Sequence, residues 1–196
     1  MKSDAAAPYN RGMTSLDTER LILRPLAADD APAIQELAAD RRVAESTLLI
    51  PHPYPDGAAA EFVDKVSGEG KHAFAITLRD GGALIGVMGL NVEAEHDRAE
   101  VGYWIGVPFW GRGYATEALR AVIDYGFESV ALHRIYANHF STNPASGRVL
   151  AKAGMQHEGT LRDHYRKWGE YRDAELYAIV ATSRTSSRDS ADRATS

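Results

Sequence analysis

Val107-Pro108-Phe109-Trp110-Gly111-Arg112-Gly113-Tyr114-Ala115-Thr116 joins the end of an apolar strand pattern to the start of the longest helical pattern in the chain. Upstream, Ala99 to Val107 alternates as a strand does. Downstream, from Gly113 to about Val130, Ala115, Leu119, Val122, Ile123 and Phe127 fall on one helical face. A helix N-terminus carries unpaired N–H groups and a partial positive charge, and glycine lets the backbone approach an anion closely. The junction therefore suits a phosphate or pyrophosphate. It would equally serve as a tight strand-to-helix turn in which glycine supplies only backbone freedom.

Two phosphate loops can be tested on it. Gly106 to Gly113 spells G-x-x-x-x-G-R-G, whereas a P-loop needs Lys and then Ser or Thr after the second glycine, to reach the phosphates and the magnesium. Gly111 to Thr116 spells G-x-G-x-x-T, a weak dinucleotide fingerprint. The strands before it read as a meander and no acidic residue ends the following strand to hold a ribose, so a nicotinamide enzyme is a poor fit.

Working outward, Leu21 to Leu26 reads as a strand. Asp29 and Asp30 are cap candidates for a helix carrying Ala31, Ile34, Leu37 and Ala38. Arg41 to Leu49 reads as a shorter helix, Pro51, Pro53 and Pro55 impose a loop, and Ala58 to Val66 is helical again. Ala73 to Leu78 and Leu84 to Leu90 flank Asp80-Gly81-Gly82 as a hairpin, and with Ala99 to Val107 they form an antiparallel meander. Arg134 to His139 is a strand, Pro144 to Ala153 a helix stopped by Gly154, and Gln156 to Arg162 and Ala174 to Ala181 are closing strands. The order β α α β β β α β α β β implies a mixed α+β fold. The expectation is a mostly antiparallel twisted sheet of six to seven strands with one parallel βαβ crossover, flanked by about four helices. Residues 16–182 form one expected domain, with disordered segments at 1–15 and 183–196, because the tail has no apolar residue larger than alanine.

A chain of 196 residues with average composition fits one domain. Without cysteine it has no disulfide framework, thiolate metal site or cysteine nucleophile. A formal charge of −5 argues against a nucleic-acid partner, which would call for clustered Lys and Arg. No stretch reads as a signal peptide or a membrane span, so a cytoplasmic location is the default expectation. Seven histidines show no HExxH or similar ligand spacing, so no metal is expected, and no G-x-S-x-G occurs.

Trp110-Gly111-Arg112-Gly113-Tyr114-Ala115 resembles the acyl-CoA loop of the GNAT superfamily of N-acetyltransferases, [QR]-x-x-G-x-[GA], with Trp110 where many members carry Gln or Arg. Asn143-Pro144-Ala145-Ser146 and Val149 to Met155 resemble the later N-x-x-S-x-x-V-x-x-K-x-G-[FM] motif, and Ala99-Glu100-Val101-Gly102-Tyr103 resembles the strand before the loop. Similarity runs from about Thr18 to Ala181. The Thr-Glu-Arg-Leu-Ile-Leu-Arg-Pro start and the Pro51-His52-Pro53-Tyr54 segment resemble the branch that acetylates ribosomal-protein N-termini.

The resemblance implies direct acetyl transfer from acetyl-CoA to an amine acceptor, a protein N-terminus or a small molecule, with no acyl-enzyme. It implies backbone contact of Arg112, Gly113, Tyr114, Ala115 and Thr116 with the CoA pyrophosphate, and pairing of Ile105, Gly106 and Val107 with the pantetheine arm. Glu100 is the candidate base, though a solvated strand carboxylate has the same pattern. Ser146 is the candidate acid toward the thiolate, with Tyr103 and Tyr165 next in line. Asn143 either holds pantetheine or caps its helix. Acceptor contacts fall to Tyr54, Tyr165 and Trp168, in the segments Ser46 to Asp56 and Arg162 to Arg172, both read as loops, and to Tyr103 on the strand before the glycine loop. A homodimer fits the branch, and a non-catalytic acyl-CoA sensor on the same scaffold is the alternative class.

Overall fold

The computed structural model describes residues 13–68 and 70–181. One eight-stranded sheet runs in the order β1-β2-β3-β4-β5-β6-β8-β7. Its strands are β1 (Leu16–Asp17), β2 (Leu21–Pro25), β3 (His72–Leu78), β4 (Leu84–Glu93), β5 (Arg98–Ile105), β6 (Arg134–Phe140), β7 (Gln156–Lys167) and β8 (Glu170–Val180). The helices are α1 (Ala31–Ala38), α2 (Arg41–Ser46), α3 (Ala58–Val66), α4 (Tyr114–Glu128) and α5 (Pro144–Lys152). Every neighbouring pair is antiparallel except β5 with β6, which α4 connects. The eighth strand is the two-residue β1. The fifth helix is α2, the shorter helix read at Arg41 to Leu49, which ends at Ser46 and is capped by the Asp40 side chain accepting from the Arg42 N–H.

Alternation places the two faces of the sheet in different cores. Leu21, Leu23, Phe74, Ile76, Met88, Ala99, Val101 and Ile105 pack with Leu119, Val122 and Ile123 of α4 and Leu150 of α5. Each fully buried aliphatic side chain contributes roughly 1.5–3 kcal/mol. On the other face, Ala75 and Val87 pack with Ile34 of α1 and Ala59 and Val63 of α3.

The expected segment 1–15 lies outside the described residues except for Met13 to Ser15, and Met13 packs against the larger core. The expected tail lies outside the described residues.

One departure changes the site. Arg162 to Arg172 is not a loop: β7 and β8 form one long hairpin closed at Trp168-Gly169, between the Lys167↔Glu170 pair. Both turn residues have positive φ, 53° and 87°, as a two-residue turn of that hand requires.

The parallel pair positions the site. Strand β5 follows β4 over its whole length, from Arg98↔Glu93 to Ile105↔Gly86, but follows β6 for only three positions, Arg98↔Arg134, Ala99↔Ile135 and Glu100↔Tyr136. Beyond Glu100 the ladder between the two strands ends, leaving an open edge on β5 next to the glycine loop.

Candidate active site

Strand chemistry decides which backbone groups face that edge. Gly106 donates to the Ile85 carbonyl at 2.8 Å, so by antiparallel alternation the even positions of β5 bond to β4. The odd positions, Tyr103 and Ile105, turn their backbone groups to the opening. The Gly106 N–H is spent on Ile85, and its carbonyl accepts from the Phe109 N–H at 2.9 Å. A Cβ at Gly106 would stand 2.8 Å from a Leu37 methyl, so glycine here lets α1 pack against the strand end.

The loop itself has the geometry the sequence implied. Gly111 and Gly113 lie at φ 75° and 82°, and Gly113 is the cap residue of α4, followed by Tyr114, Ala115 and Thr116 in the first turn. Trp110 does not leave a gap in the motif: its indole N–H donates to the Ile105 carbonyl at 2.6 Å, tying the loop to the end of β5.

On the α4 face of the sheet, the Tyr103 hydroxyl meets the Ser146 hydroxyl at 2.7 Å. Burial pushes the Tyr103 phenol up to about 12, although the Ser146 contact works the other way. Asn143 holds Ser146 in place as the cap of α5, its side-chain oxygen accepting the Ser146 N–H at 3.3 Å, while its NH2 donates to the Ser46 carbonyl at 3.4 Å. Asn143 thus caps α5.

Glu100 points to the other face. There a cavity of about 330 Å³ is lined by Arg98, Glu100, Arg134, Tyr136, Asn138, Leu161, His164, Tyr165 and Leu176. Asn138 donates to Glu100 at 3.2 Å. Arg98 is paired with Glu93 at 2.8 Å and Arg134 with Glu158, and no ion pair among the described residues involves Glu100. Burial, and then the Glu100 charge, raise the Tyr165 pKa. Gly102, next to Glu100 on this face, has open space where a side chain would be.

The chain matches the family model for the acetyltransferase (GNAT) domain over residues 20–156. It is 33% identical over 174 residues to an uncharacterized N-acetyltransferase, p20, of Bacillus licheniformis, covering 86% of this chain and 97% of that protein. To the [ribosomal protein uS5]-alanine N-acetyltransferase of Escherichia coli it is 30% identical over 182 residues, covering 88% and 94%. The crystal structure of a GNAT-family acetyltransferase from Bacillus anthracis superposes with a TM-score of 0.78 at 28% identity, covering 85% of this chain and 98% of that one.

The chain belongs to the GNAT acetyltransferase family.

It is therefore an acyltransferase enzyme. The GNAT fold brings some of the residues expected of the site together and leaves others apart. Tyr165 lines the Glu100 cavity because a bulge in β7, between Leu161 and Tyr165, lets three residues oppose one. Asp163 anchors that bulge through its N–H to the Asp173 side chain at 2.8 Å. Trp168 sits at the hairpin tip, half exposed, and Tyr54 packs with the smaller core. Neither lines the cavity. Tyr103 and Ser146 stand across the sheet from Glu100.

Three contributors escaped the sequence reading: Asn138, Trp110 as a tether, and the pair Arg20 and Glu117. Asn138 shares the half-buried face of β6 with Arg134 and Tyr136, opposite the buried Ile135 and Ala137. Nothing local marks the other two.

Proposed function

We propose that this GNAT enzyme transfers the acetyl group of acetyl-CoA directly to an amine that carries a single positive charge, as a protein N-terminus does. The observation that carries the acceptor assignment is Glu100, the one carboxylate lining its cavity, held without an ion pair while Arg98 and Arg134 line the same cavity. One carboxylate can hold one ammonium, and among the described residues the cavity lining has no second carboxylate for another cation, Arg98 and Arg134 being already paired with Glu93 and Glu158. A polyamine is the poorer fit.

The residues present suit the co-substrate. Past Glu100, β5 has an unpaired edge, and the positive-φ glycines bring that edge to a helix N-terminus. The backbone groups of Tyr103 and the N–H of Ile105, whose carbonyl is taken by Trp110, would pair with the pantetheine arm, and the N–H groups from Arg112 to Thr116, in the loop and first turn, would hold the pyrophosphate. When bound, acetyl-CoA supplies an activated thioester carbonyl. Val107 lies where the edge meets the loop.

Glu100 accepts the proton of the bound ammonium, directly or through a water. An α-amino group with a pKa near 8, or a lysine-type amine near 10.4, must lose it before attacking. From the opposite face, the Tyr103 and Ser146 hydroxyls donate a proton toward the departing sulfur. Glu100 and the hydroxyl pair thus act from two sides of the opening in the sheet.

Thiol release from acetyl-CoA tests the acceptor class, with short peptides beginning in Ala or Ser, free amino acids and spermidine as acceptors. Turnover with peptides or amino acids and little with spermidine supports the assignment. Efficient spermidine acetylation with inert monoamines sinks it.

A further inference from the structure

Arg20 lies just before β2, far in sequence from the glycine loop, yet its guanidinium is committed to that loop. It donates to the Arg112 carbonyl at 3.0 Å and to Glu117 at 2.7 Å, and lies 4.8 Å over the Tyr114 ring. A Cβ on Gly113 would come within 3.4 Å of it. Glu117 in turn collects the Arg20 N–H at 2.8 Å and the Thr18 hydroxyl at 2.6 Å. Burial pushes the Glu117 carboxyl up, but these donors and the Arg20 charge outweigh it and hold the group below its usual range.

We propose that Arg20 is a positioning residue for the anion site of the glycine loop, setting the direction of the Gly113 N–H. This rests on the assignment of that loop to the CoA pyrophosphate. The Arg112–Gly113 peptide is trans, since the only cis bond among the described residues is His52-Pro53. In a planar trans peptide the C=O and N–H point opposite ways. Anchoring the Arg112 carbonyl inward on Arg20 therefore turns the Gly113 N–H outward, at the N-terminus of α4. Arg20 has a second effect. Glu117 places a negative charge in the first turn of a helix whose N-terminus must accept an anion, and the guanidinium cancels it there.

Arg79 provides the control. It grips the same corner of the fold, bonding the Thr18 carbonyl at 2.9 Å and Asp17 at 2.7 Å, and makes no contact with the loop. The experiment measures CoA binding by calorimetry, together with kcat and KM for acetyl-CoA and for S-acetylpantetheine, a thioester without the pyrophosphate. Losing a charge-assisted hydrogen bond and exposing Glu117 should weaken CoA binding by roughly tenfold or more in Arg20→Gln. The KM for acetyl-CoA should rise in step, while kcat and the S-acetylpantetheine reaction stay unchanged. Arg20→Lys keeps the charge without the two-pronged fork and should fall between. Arg79→Gln should bind CoA normally.

Unchanged CoA affinity in Arg20→Gln overturns the proposal. So does an equal loss with both thioesters, which would mark a general weakening of the fold. Should Arg20→Gln fail to give a cooperative melt, Arg20→Lys carries the same two readouts. If the unaltered enzyme itself showed no preference for CoA over pantetheine, the loop assignment would fail, and that result is separable from any variant.

Discussion

The hydroxyls of Tyr103 and Ser146, 2.7 Å apart, connect the open edge of β5 to the first turn of α5. A phenol is protonated at neutral pH even at its ordinary value near 10, and burial raises this one further, to about 12. It can therefore donate to a sulfur that leaves as thiolate, with Ser146 relaying or replacing the proton. Because a thiolate is a tolerable leaving group, the assistance is modest. Tyr103→Phe should lower kcat by about ten- to a hundredfold, Ser146→Ala by less, each with little change in the KM for acetyl-CoA. Steady-state kinetics decide it, and full turnover in both variants would move the acid role elsewhere.

Glu100→Gln keeps the size and the Asn138 contact but cannot take a proton. Turnover at neutral pH should fall by about 10² or more, and the deficit should shrink as the pH rises and the amine deprotonates unaided. CoA affinity should not move, since Glu100 is on the cavity face and the loop is elsewhere. A pH–rate profile parallel to that of the parent enzyme at all pH values would make Glu100 a spectator.

What the sequence discloses follows the range of the forces involved. The glycine loop is legible because its needs are local: an αL residue at the cap of α4 demands Gly113, and α4 announces itself by its apolar stripe. Strands β2 to β5 are legible because one or both faces are buried. The outer part of the β7–β8 hairpin is not, because β7 is an edge strand whose alternation from His164 to Arg166 is carried by polar residues, and its turn begins with Trp168, not glycine, at positive φ. The Arg20–Glu117 pair bridges 97 positions and the Trp110 tether is an indole standing in for an expected polar side chain. Neither contact exists until the chain has folded.

Glu175 gives the clearest acid signature. It accepts from Ser141 at 2.6 Å, Thr160 at 2.8 Å and His157 at 2.7 Å, joining the end of β6 to β7, and these contacts lower its pKa from 4.5 to about 2. The unfolded chain binds that proton more readily than the folded one. The stability it contributes is thus complete above the unfolded value and lost as pH falls from about 4.5 toward about 2. Since the carboxylate is partly exposed, about 1 kcal/mol is the right size, or roughly 2–4 °C in Tm. Glu175→Gln should lose that increment at neutral pH and show a flatter melting profile through the acid range. An acid limb as steep as the parent's would assign the effect to other carboxylates.

Lys167 is the strongest tie between the hairpin and the segment following α2. Its buried ammonium donates to the carbonyls of Thr47 at 2.5 Å, Leu48 at 3.1 Å and Ile50 at 2.8 Å. Burial, and then Arg172, push its pKa down, yet three acceptors satisfy all three of its donors. The same segment starts where Ser46 receives Asn143, so Lys167 fixes a wall running from the cap of α5 to the hairpin tip. Lys167→Met keeps the apolar stem and strands three carbonyls, which should cost about 2–3 kcal/mol, or roughly 4–10 °C in Tm. If the wall borders the acceptor, the acceptor KM should rise severalfold below the new melting range while the KM for acetyl-CoA holds. A lower Tm with both KM values intact would confine Lys167 to holding the fold together.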